Sequence, residues 1–430
     1  MSISISSAPE DISQEILLRL PVKSLLRSKS ISKYFNFLIR SSNFIKKHLN
    51  HSIQKNNVTF IFPNYDLRET QFISLNPLLD SPSAKPDGFV TNSRHFSFIK
   101  SGWKIDYFCG SSNGLLCVCC INTRVSEDLD EVGCCLSDDD DIKEEQIFVL
   151  NPSTREFKKI LVPRRVCNRG IMLRSLFWFD YDCKIDDYKV VRVVDFGGSG
   201  KESFEVEVYT LGSDSWKRIG NVSYKFEKHH GVLVSGALHW FAVSSVQQLK
   251  VLVSLDIVNE RFVEVLLPKE RLTYPEEPLE DVKYVKNVGE LGGRLCLLFH
   301  VFGVRVDLWV MQEYGVRDSW TKSFTIIDES ITKTCSLSLK WNFVDNRILL
   351  QADDKLILYD PKSERCRKLT DCESNKDAVN YVTSLVSLNS GRYFKQRKTK
   401  KRKRWTMENL TSDEIMELMI DRDALRDDYY

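Results

Sequence analysis

The chain has 430 residues, of which 42% are hydrophobic and 11% aromatic, so it holds enough apolar material for a buried core and for more than one domain. This composition excludes a wholly disordered chain and a collagen-like rod. The 61 Lys and Arg against 59 Asp and Glu give a formal net charge of +2. Such a near-neutral chain does not coat nucleic acid along its whole surface, and any polyanion binding has to be local.

The sequence contains no recognisable membrane span or secretory leader. The longest apolar stretch, residues 115–121, is far below the roughly 20 residues that a spanning helix needs. Residues 1–7 lack the basic start and the apolar core of a signal peptide. We therefore expect the protein to stay inside the cell without a membrane partner. In that compartment its twelve unevenly spaced cysteines are expected to be free thiols.

From residue 8 to about residue 52, apolar residues recur at helical spacing. They are Ile12, Ile16, Leu17, Leu20, Val22, Leu25, Leu26, Ile31, Phe35, Leu38, Ile39, Ile45 and Leu49. The spacing predicts short amphipathic helices in series, the first capped by Ser7-x-x-Glu10 with Pro9 in its first turn, and Pro21 separating it from the second. A domain over residues 1–52 is small for an independent core, so part of its apolar surface is expected to await a partner.

Residues 53–391 form the second predicted domain, where the hydrophobic period changes to two and indicates almost entirely β-structure. A loose unit recurs, in which a Gly-x-Leu strand is followed by a hairpin whose first strand ends in Asn or Asp. The hairpins cover residues 148–160, 206–219, 252–265, 308–327 and 356–369, and the Gly-x-Leu-type strands cover 114–120, 236–242, 292–298 and 346–352. This repeat favours a kelch-like β-propeller of about six irregular blades, with a two-sheet sandwich or stacked sheets as the alternative.

An acidic insertion at residues 126–145 interrupts the first unit. Residues 127–145 carry ten acidic side chains and one Lys. Such a segment has too few apolar groups to fold into an ordered structure by itself. We expect a mobile, solvated loop between strands. Contact with a basic partner, or with the basic tail of the chain itself, is the alternative.

The third predicted region, residues 392–430, is a basic tail with a short C-terminal helix that Thr411-x-x-Glu414 caps. Eight of the ten residues 395–404 are basic: Lys395, Arg397, Lys398, Lys400, Lys401, Arg402, Lys403 and Arg404. Such a run is typical of a nuclear import signal, so we expect the protein in nucleus and cytoplasm. A solvated tail is the alternative. Nucleic-acid contact is disfavoured because single-strand binding usually needs several stacking aromatics, and Trp405 is the one aromatic that directly follows the run.

A search for catalytic chemistry finds no G-x-S-x-G, H-E-x-x-H or Walker motif. Residues 197–203 contain a Gly-Lys pair without the P-loop spacing and are better explained as a hairpin turn. Cys117 and Cys119 alternate onto one face of a predicted strand, where Cys109 and a distant His could complete a zinc site, but small hydrophobes packed in a strand explain them much better. We predict no enzyme, no metal and no cofactor.

The residues quoted so far resemble a family of plant proteins. Residues 9–27 (PEDISQEILLRLPVKSLLR), with 31–35 (ISKYF) and 44–49 (FIKKHL), are similar to a plant F-box. The central region resembles the F-box-associated, kelch-related interaction domain found in pathogen-response and S-locus F-box proteins. The matching stretches are GSSNGLLC (110–117), LNPSTREFKK (150–159), DDYKVVRVV (186–194), SDSWKRI (213–219), GALHWFA (236–242), LGGRLCLL (291–298) and EYGVRDSWTK (313–322).

The resemblance implies a substrate-recognition subunit of an SCF-type E3 ubiquitin ligase. In such a complex the F-box binds a Skp-type adaptor, and the adaptor connects it to a cullin and a RING subunit. The β domain binds the target protein that is to be ubiquitinated. The adaptor-binding set that it implies is Pro9, Ile12, Ile16, Leu20, Pro21, Val22, Leu25, Leu26, Ile31 and Phe35. Internal packing of the helices is the other role open to each of these residues.

A second interpretation is a non-catalytic propeller scaffold with a degenerate F-box. Ala8 stands where the family usually has Leu, and Phe35 where it commonly has Trp. Ser30 and Ser32 also replace residues that are often Cys or Val, and Cys. Losing a large apolar anchor at an interface costs on the order of 1 to 3 kcal/mol.

Overall fold

The computed structural model describes residues 10–55, 58–63, 69–74, 91–96, 99, 102–122, 145–163, 175–195, 204–226, 231–269, 284–343, 345–371 and 378–389. These residues fall into two compact units, one holding the helices up to His48 and the other running onward from Leu49. None of the described helices combines the length and the apolar character needed to cross a bilayer.

Four helices begin the described chain: α1 Glu10–Leu18, α2 Val22–Ser28, α3 Lys33–Arg40 and α4 Ser42–Gln54. They confirm the helical series predicted from the apolar spacing. Pro21 precedes the first residue of α2 in extended conformation (φ −59°, ψ 150°), which explains why α1 ends before it. Ser32 caps α3, its side chain accepting the Phe35 N–H at 3.0 Å.

The described remainder forms six antiparallel sheets, each a consecutive meander except where the chain closes on itself. Each sheet is one blade, numbered in chain order. Blade 1 contains β1 Val58–Pro63, β2 Glu69–Ser74, β3 Thr91–His95 and the last strand, β25 Val379–Val382. Blade 2 contains β4 Trp103–Ser112, β5 Leu115–Asn122, β6 Glu145–Asn151 and β7 Glu156–Ile160. Blade 3 contains β8 Ser175–Asp182, β9 Asp187–Asp195, β10 Phe204–Thr210 and β11 Ser215–Val222.

The second half of the ring continues in the same order. Blade 4 contains β12 Tyr224–Phe226, β13 Val232–Val234, β14 Ala237–Ser244, β15 Lys250–Asp256 and β16 Arg261–Val265. Blade 5 contains β17 Tyr284–Leu291, β18 Arg294–Val301, β19 Arg305–Met311 and β20 Trp320–Ile326, and the single-turn helix α5 Glu329–Thr332 follows it. Blade 6 contains β21 Leu337–Asn342, β22 Ile348–Ala352, β23 Lys355–Asp360 and β24 Arg365–Asp371. A helical unit followed by a propeller is the fold that the sequence predicts.

The recurring sequence unit corresponds to the last three strands of a blade. The Gly-x-Leu segments become the second strands β5, β14, β18 and β22, and the five hairpins become the third and fourth strands of blades 2 to 6. Asp186 and Asp187 form a turn and a strand start, since Asp186 has a positive φ of 57° and β9 begins at Asp187.

The ring closes through β25, which pairs with β1 in antiparallel register from Val58↔Val382 to Ile61↔Val379. Apolar side chains fill the joints between neighbouring blades. Ile61 of blade 1 packs with Leu116 of blade 2, and Phe60 with Leu349 of blade 6. Between blades 3 and 4, the indole rings of Trp178 and Trp240 lie 4.5 Å apart.

The predicted acidic loop is one residue too long. Residues 123–144 lie outside the described chain, but Glu145 is the first residue of β6 and pairs with Ile121 of β5. Its carboxyl is partly buried and accepts the Ser175 N–H of the neighbouring blade, so Glu145 is part of the folded sheet rather than of the loop.

Candidate protein-interaction site

The helical unit has its own small core. The buried apolar side chains up to His48 are Leu17, Leu18, Val22, Leu25, Phe35, Ile39, Phe44 and Ile45. His48 Nε2 lies 2.9 Å from the Leu20 carbonyl oxygen, which ties α4 to the loop after α1. The Ser41 hydroxyl accepts the Phe44 N–H at 3.2 Å and caps α4.

The structure divides the predicted adaptor-binding set into two groups. Val22, Leu25 and Phe35 are buried inside the helical unit, so each contributes to its folding. Ile12, Ile16 and Ile31 are 52%, 43% and 69% exposed, although they are large and apolar. Leu20 and Leu26 are partly buried and Pro21 is exposed, while Pro9 lies outside the described residues.

Phe37 is an exposed apolar residue that the sequence analysis did not select. It lies in α3 two positions after the buried Phe35, so the two rings point to different sides of the helix, and Phe37 remains 66% exposed. The sequence could have indicated this residue, because an aromatic side chain stands there outside the helical spacing of the buried residues of α3. Together with Ile12, Ile16 and Ile31 it gives the unit an uncovered apolar surface.

The predicted import residues Lys395, Arg397, Lys398, Lys400, Lys401, Arg402, Lys403 and Arg404 lie outside the described chain. So do residues 197–203 and the pair His229 and His230.

The cysteines of blade 2 are packed as apolar side chains. Cys109, Cys117, Cys119 and Cys120 are all buried free thiols, and burial raises the pKa of Cys120 to about 12. Burial raises the pKa of Cys109 and Cys119 as well, so these three thiols are held in the neutral form, which is a poor metal ligand. Across the described residues, no three His, Cys, Asp or Glu side chains are grouped as a metal site would require.

Two buried titratable groups in the propeller, Asp180 and His239, are held by main-chain and hydroxyl partners. Burial raises the pKa of Asp180 to about 7, although the Tyr181 N–H and the Ser112 hydroxyl bond to it. Burial lowers the pKa of His239 to about 4; its Nδ1 lies 3.2 Å from the Val232 carbonyl oxygen and its Nε2 2.9 Å from Tyr314 Oη. These groups therefore join strands and blades.

Two family models match the chain. The F-box domain model matches residues 9–47, and the F-box associated beta propeller domain model matches residues 133–388, more than half of the chain. The first match coincides with the helical unit and the second begins before β6 and ends after β25.

Two relatives match almost the whole length of the chain. The chain is 30% identical to the F-box protein CPR1 of Arabidopsis thaliana over 92% of this chain and 94% of that one. It is 26% identical to the F-box protein At4g22390 of Arabidopsis thaliana, over 89% and 90% of the two chains.

Among solved structures, a six-bladed fungal lectin from Aleuria aurantia covers 74% of this chain and 92% of its own, at 10% identity and a TM-score of 0.38. That likeness is too weak to bear on function. The two family models and the full-length relatives agree with each other and with the observed order of units, and this chain therefore belongs to the F-box proteins that carry an F-box associated beta propeller domain.

Proposed function

We propose that this chain is the substrate-recognition subunit of an SCF-type E3 ubiquitin ligase. The helical unit binds a Skp-type adaptor, and through it a cullin and a RING subunit, while the propeller binds a target protein. The observation that supports this role is the apolar surface that the folded helical unit leaves exposed at Ile12, Ile16 and Ile31, within residues that match the F-box model.

The magnitude of that surface fits a protein partner. Fully covering an isoleucine side chain contributes about 1.5 to 3 kcal/mol relative to leaving it in water. In the isolated unit a large part of this favourable free energy is not yet gained at three side chains, because they remain exposed: Ile12, Ile16 and Ile31. A partner that covers all three gains several kcal/mol, which offsets a substantial part of the cost of association.

In this role the chain carries out no bond chemistry. It holds a target beside the conjugating enzyme and so raises the effective concentration of target lysines. The buried residues Val22, Leu25 and Phe35 act indirectly, because they fix the helices on which the exposed isoleucines stand.

Adaptor binding is tested with the full chain co-expressed with Skp-type adaptors of Arabidopsis thaliana. Replacing Ile12, Ile16 and Ile31 together by Ser is expected to weaken binding by a factor of roughly a hundred or more, because three anchors are removed. Ile53→Ser is the matched control, since Ile53 is also an exposed apolar residue of a helix, 41% exposed, but is not in the proposed set. Binding is measured by calorimetry, and helix content by circular dichroism.

Retention of adaptor binding by the triple variant would refute the proposed face. A wild-type chain that binds none of the adaptors would instead support a propeller scaffold with a degenerate F-box.

We also propose that residues 395–404 direct the chain to the nucleus, giving a nuclear and cytoplasmic protein. Eight basic residues in ten support this. Fusion of residues 392–405 to a cytosolic reporter tests it, and a reporter that stays in the cytoplasm would contradict it.

A further inference from the structure

The hairpins that join the second and third strands of blades 4 and 5 end in exposed apolar side chains. Val246 and Leu249 lie between β14 and β15, and Phe302 and Val304 lie between β18 and β19. Ile327 follows β20 of blade 5. We call these five residues the apolar hairpin patch; their exposed fractions range from 38% to 82%.

The hairpins of the patch lie at the same end of two neighbouring blades. The alternating direction of antiparallel strands puts the second-to-third-strand hairpins of every blade at one end of the sheets. Blades 4 and 5 are neighbours that share a core cluster, in which Phe241 and Leu252 pack with Phe299. The Gly303 N–H donates to the Thr332 carbonyl oxygen at 2.7 Å, which ties the blade 5 hairpin to the segment that starts at Ile327.

Folding gives no reason for these side chains to be apolar. The corresponding hairpin of blade 6 turns through Asp353 and Asp354, which are the polar residues that turns favour. An apolar side chain at a hairpin tip gains little burial in the folded chain, and grouped exposure of this kind marks an interaction surface.

Charges around the patch indicate the chemistry of its partner. Cationic side chains lie on the flanking strands and directly after α5: Lys225, Lys250, Arg305 and Lys333. Two of them are paired, Lys333 with Glu329 at 2.8 Å and Arg305 with the fully buried Asp307 at 2.9 Å. Asp328 caps α5, and Asp353 and Asp354 lie on the hairpin of the neighbouring blade 6. Within blades 4 and 5, the exposed rim therefore carries more positive than negative charge.

We propose that the apolar hairpin patch is a docking surface for an apolar segment of a target protein whose flanks are acidic. This proposal rests on the proposed function and names the part of the propeller that would select targets. Apolar side chains of the segment cover Val246, Phe302 and their neighbours, and its carboxylates face Lys250 and Arg305. The hairpins are fixed by strands on both sides, so little ordering is needed on binding.

The test is a displayed library of random 16-residue peptides, selected on the full chain in complex with its adaptor. Enrichment of peptides that combine large apolar residues with Asp or Glu is expected. Affinity of a selected synthetic peptide, measured by fluorescence polarisation, is expected to fall roughly tenfold or more for the double variant Phe302→Ser, Val304→Ser, and to weaken with added salt.

The matched control is the double variant Leu161→Ser, Val263→Ser, because both residues are exposed and apolar, at 77% and 57%, but lie outside the patch. It is expected to bind the peptide as the wild type does, and both variants should keep the wild-type melting temperature.

Selected peptides without acidic flanks, or equal binding by both double variants, would overturn the proposal. A homodimer that Phe302→Ser dissociates, seen by light scattering, would also overturn it by assigning the patch to a second copy. Adaptor binding is measured on the same samples. If the chain binds the peptide but not the adaptor, the proposed ligase role is wrong and the docking surface stands. If it binds the adaptor but not the peptide, the docking surface is wrong and the ligase role stands.

Discussion

At the scale of single residues, burial decides which charges the propeller keeps. Asp182 in β8 forms an ion pair of 2.9 Å with Lys189, and both side chains are almost completely buried. Two positions earlier on the same strand, Asp180 is also buried, but burial raises its pKa to about 7. Of these two carboxyls on one strand, Asp182 is thus paired with a cation, whereas burial favours the neutral form of Asp180.

The Asp180 carboxyl makes stability depend on pH. In the unfolded chain an Asp ionises near pH 4. Between about pH 4 and pH 7 the unfolded state has released this proton and the folded state retains it, so the free energy of unfolding falls as the pH rises. Asp180→Asn is therefore expected to be more stable than the wild type at pH 8, by on the order of 4 kcal/mol, and nearly equal to it at pH 3.

Urea unfolding of both proteins at the two pH values measures this difference. Asn keeps an acceptor for the Tyr181 N–H, which limits other effects of the substitution. A constant difference between the proteins at both pH values would show that Asp180 ionises normally in the folded state.

At the scale of elements, a repeated turn explains why the third strands end in Asn or Asp. The side chains of Asn151, Asp256 and Asp360 each accept the N–H two residues further on, at 2.9 Å in all three turns. Three turns end at residues with positive φ: Arg155 (61°), Glu260 (55°) and Glu364 (52°). The turn is thus capped by a side chain at its start and left-handed at its end.

Glu364 allows the left-handed position to be tested, because it is exposed at the β23–β24 turn. Glycine adopts this conformation without steric cost, and a β-branched residue is disfavoured there. Glu364→Gly is expected to raise the free energy of unfolding by roughly 0.5 kcal/mol, and Glu364→Val to lower it by about 1 kcal/mol. Thermal unfolding of the two variants measures both effects, and the opposite ranking would contradict the role of φ at this residue.

At the scale of the whole molecule, polar joints connect neighbouring blades in addition to their apolar cores. Trp216 and Trp320 occupy equivalent positions on the fourth strands of blades 3 and 5. Their indole N–H groups donate to the carbonyl oxygens of Leu161 at 2.8 Å and Leu266 at 2.9 Å, which follow the fourth strand of the preceding blade. Blades 3 and 5 therefore each hold the start of the connection that leads into them from the preceding blade.

A buried ion cluster makes the joint between blades 3 and 4. Lys189 of β9 donates to the Ile257 carbonyl oxygen at 2.7 Å and pairs with Glu260 at 3.1 Å as well as with Asp182. The other oxygen of Glu260 pairs with Lys217 at 2.7 Å, at the surface.

Lys189→Met is expected to destabilise the propeller by about 3 to 5 kcal/mol, because it leaves the Asp182 carboxylate buried without its cation. Lys217→Met is the matched control: it removes a cation from the same Glu260, but at a side chain that is 71% exposed, so less than about 1 kcal/mol is expected. Fluorescence of Trp178 and Trp240, which lie buried at this joint, reports urea unfolding. Similar losses in the two variants would argue against the buried cluster as the joint.

Much of the fold could be predicted because its signals are local. Strand alternation and Asx-type turns involve residues at most a few positions apart, so the second, third and fourth strands of blades 2, 4, 5 and 6 were located from the sequence. The first strands were missed. β8 is buried along almost its entire length and shows no alternation, and the four-residue β25 pairs with a strand more than 300 residues away.

The candidate site was predicted in part for the same reason. Helical spacing identified Ile12, Ile16, Val22 and Leu25 as apolar stripe residues, but it could not separate the two that stay exposed from the two that are buried. Phe37 was missed because it lies off that stripe.

Periodicity and turn chemistry depend on neighbouring residues, so the helical unit, the β-rich region and the repeated hairpins can be predicted from the order of the amino acids. Which apolar side chains remain in water, which carboxyls are buried with a cation, and how β25 closes the ring became visible in the folded chain. Those properties depend on residues that are distant along the chain and meet only when the blades pack.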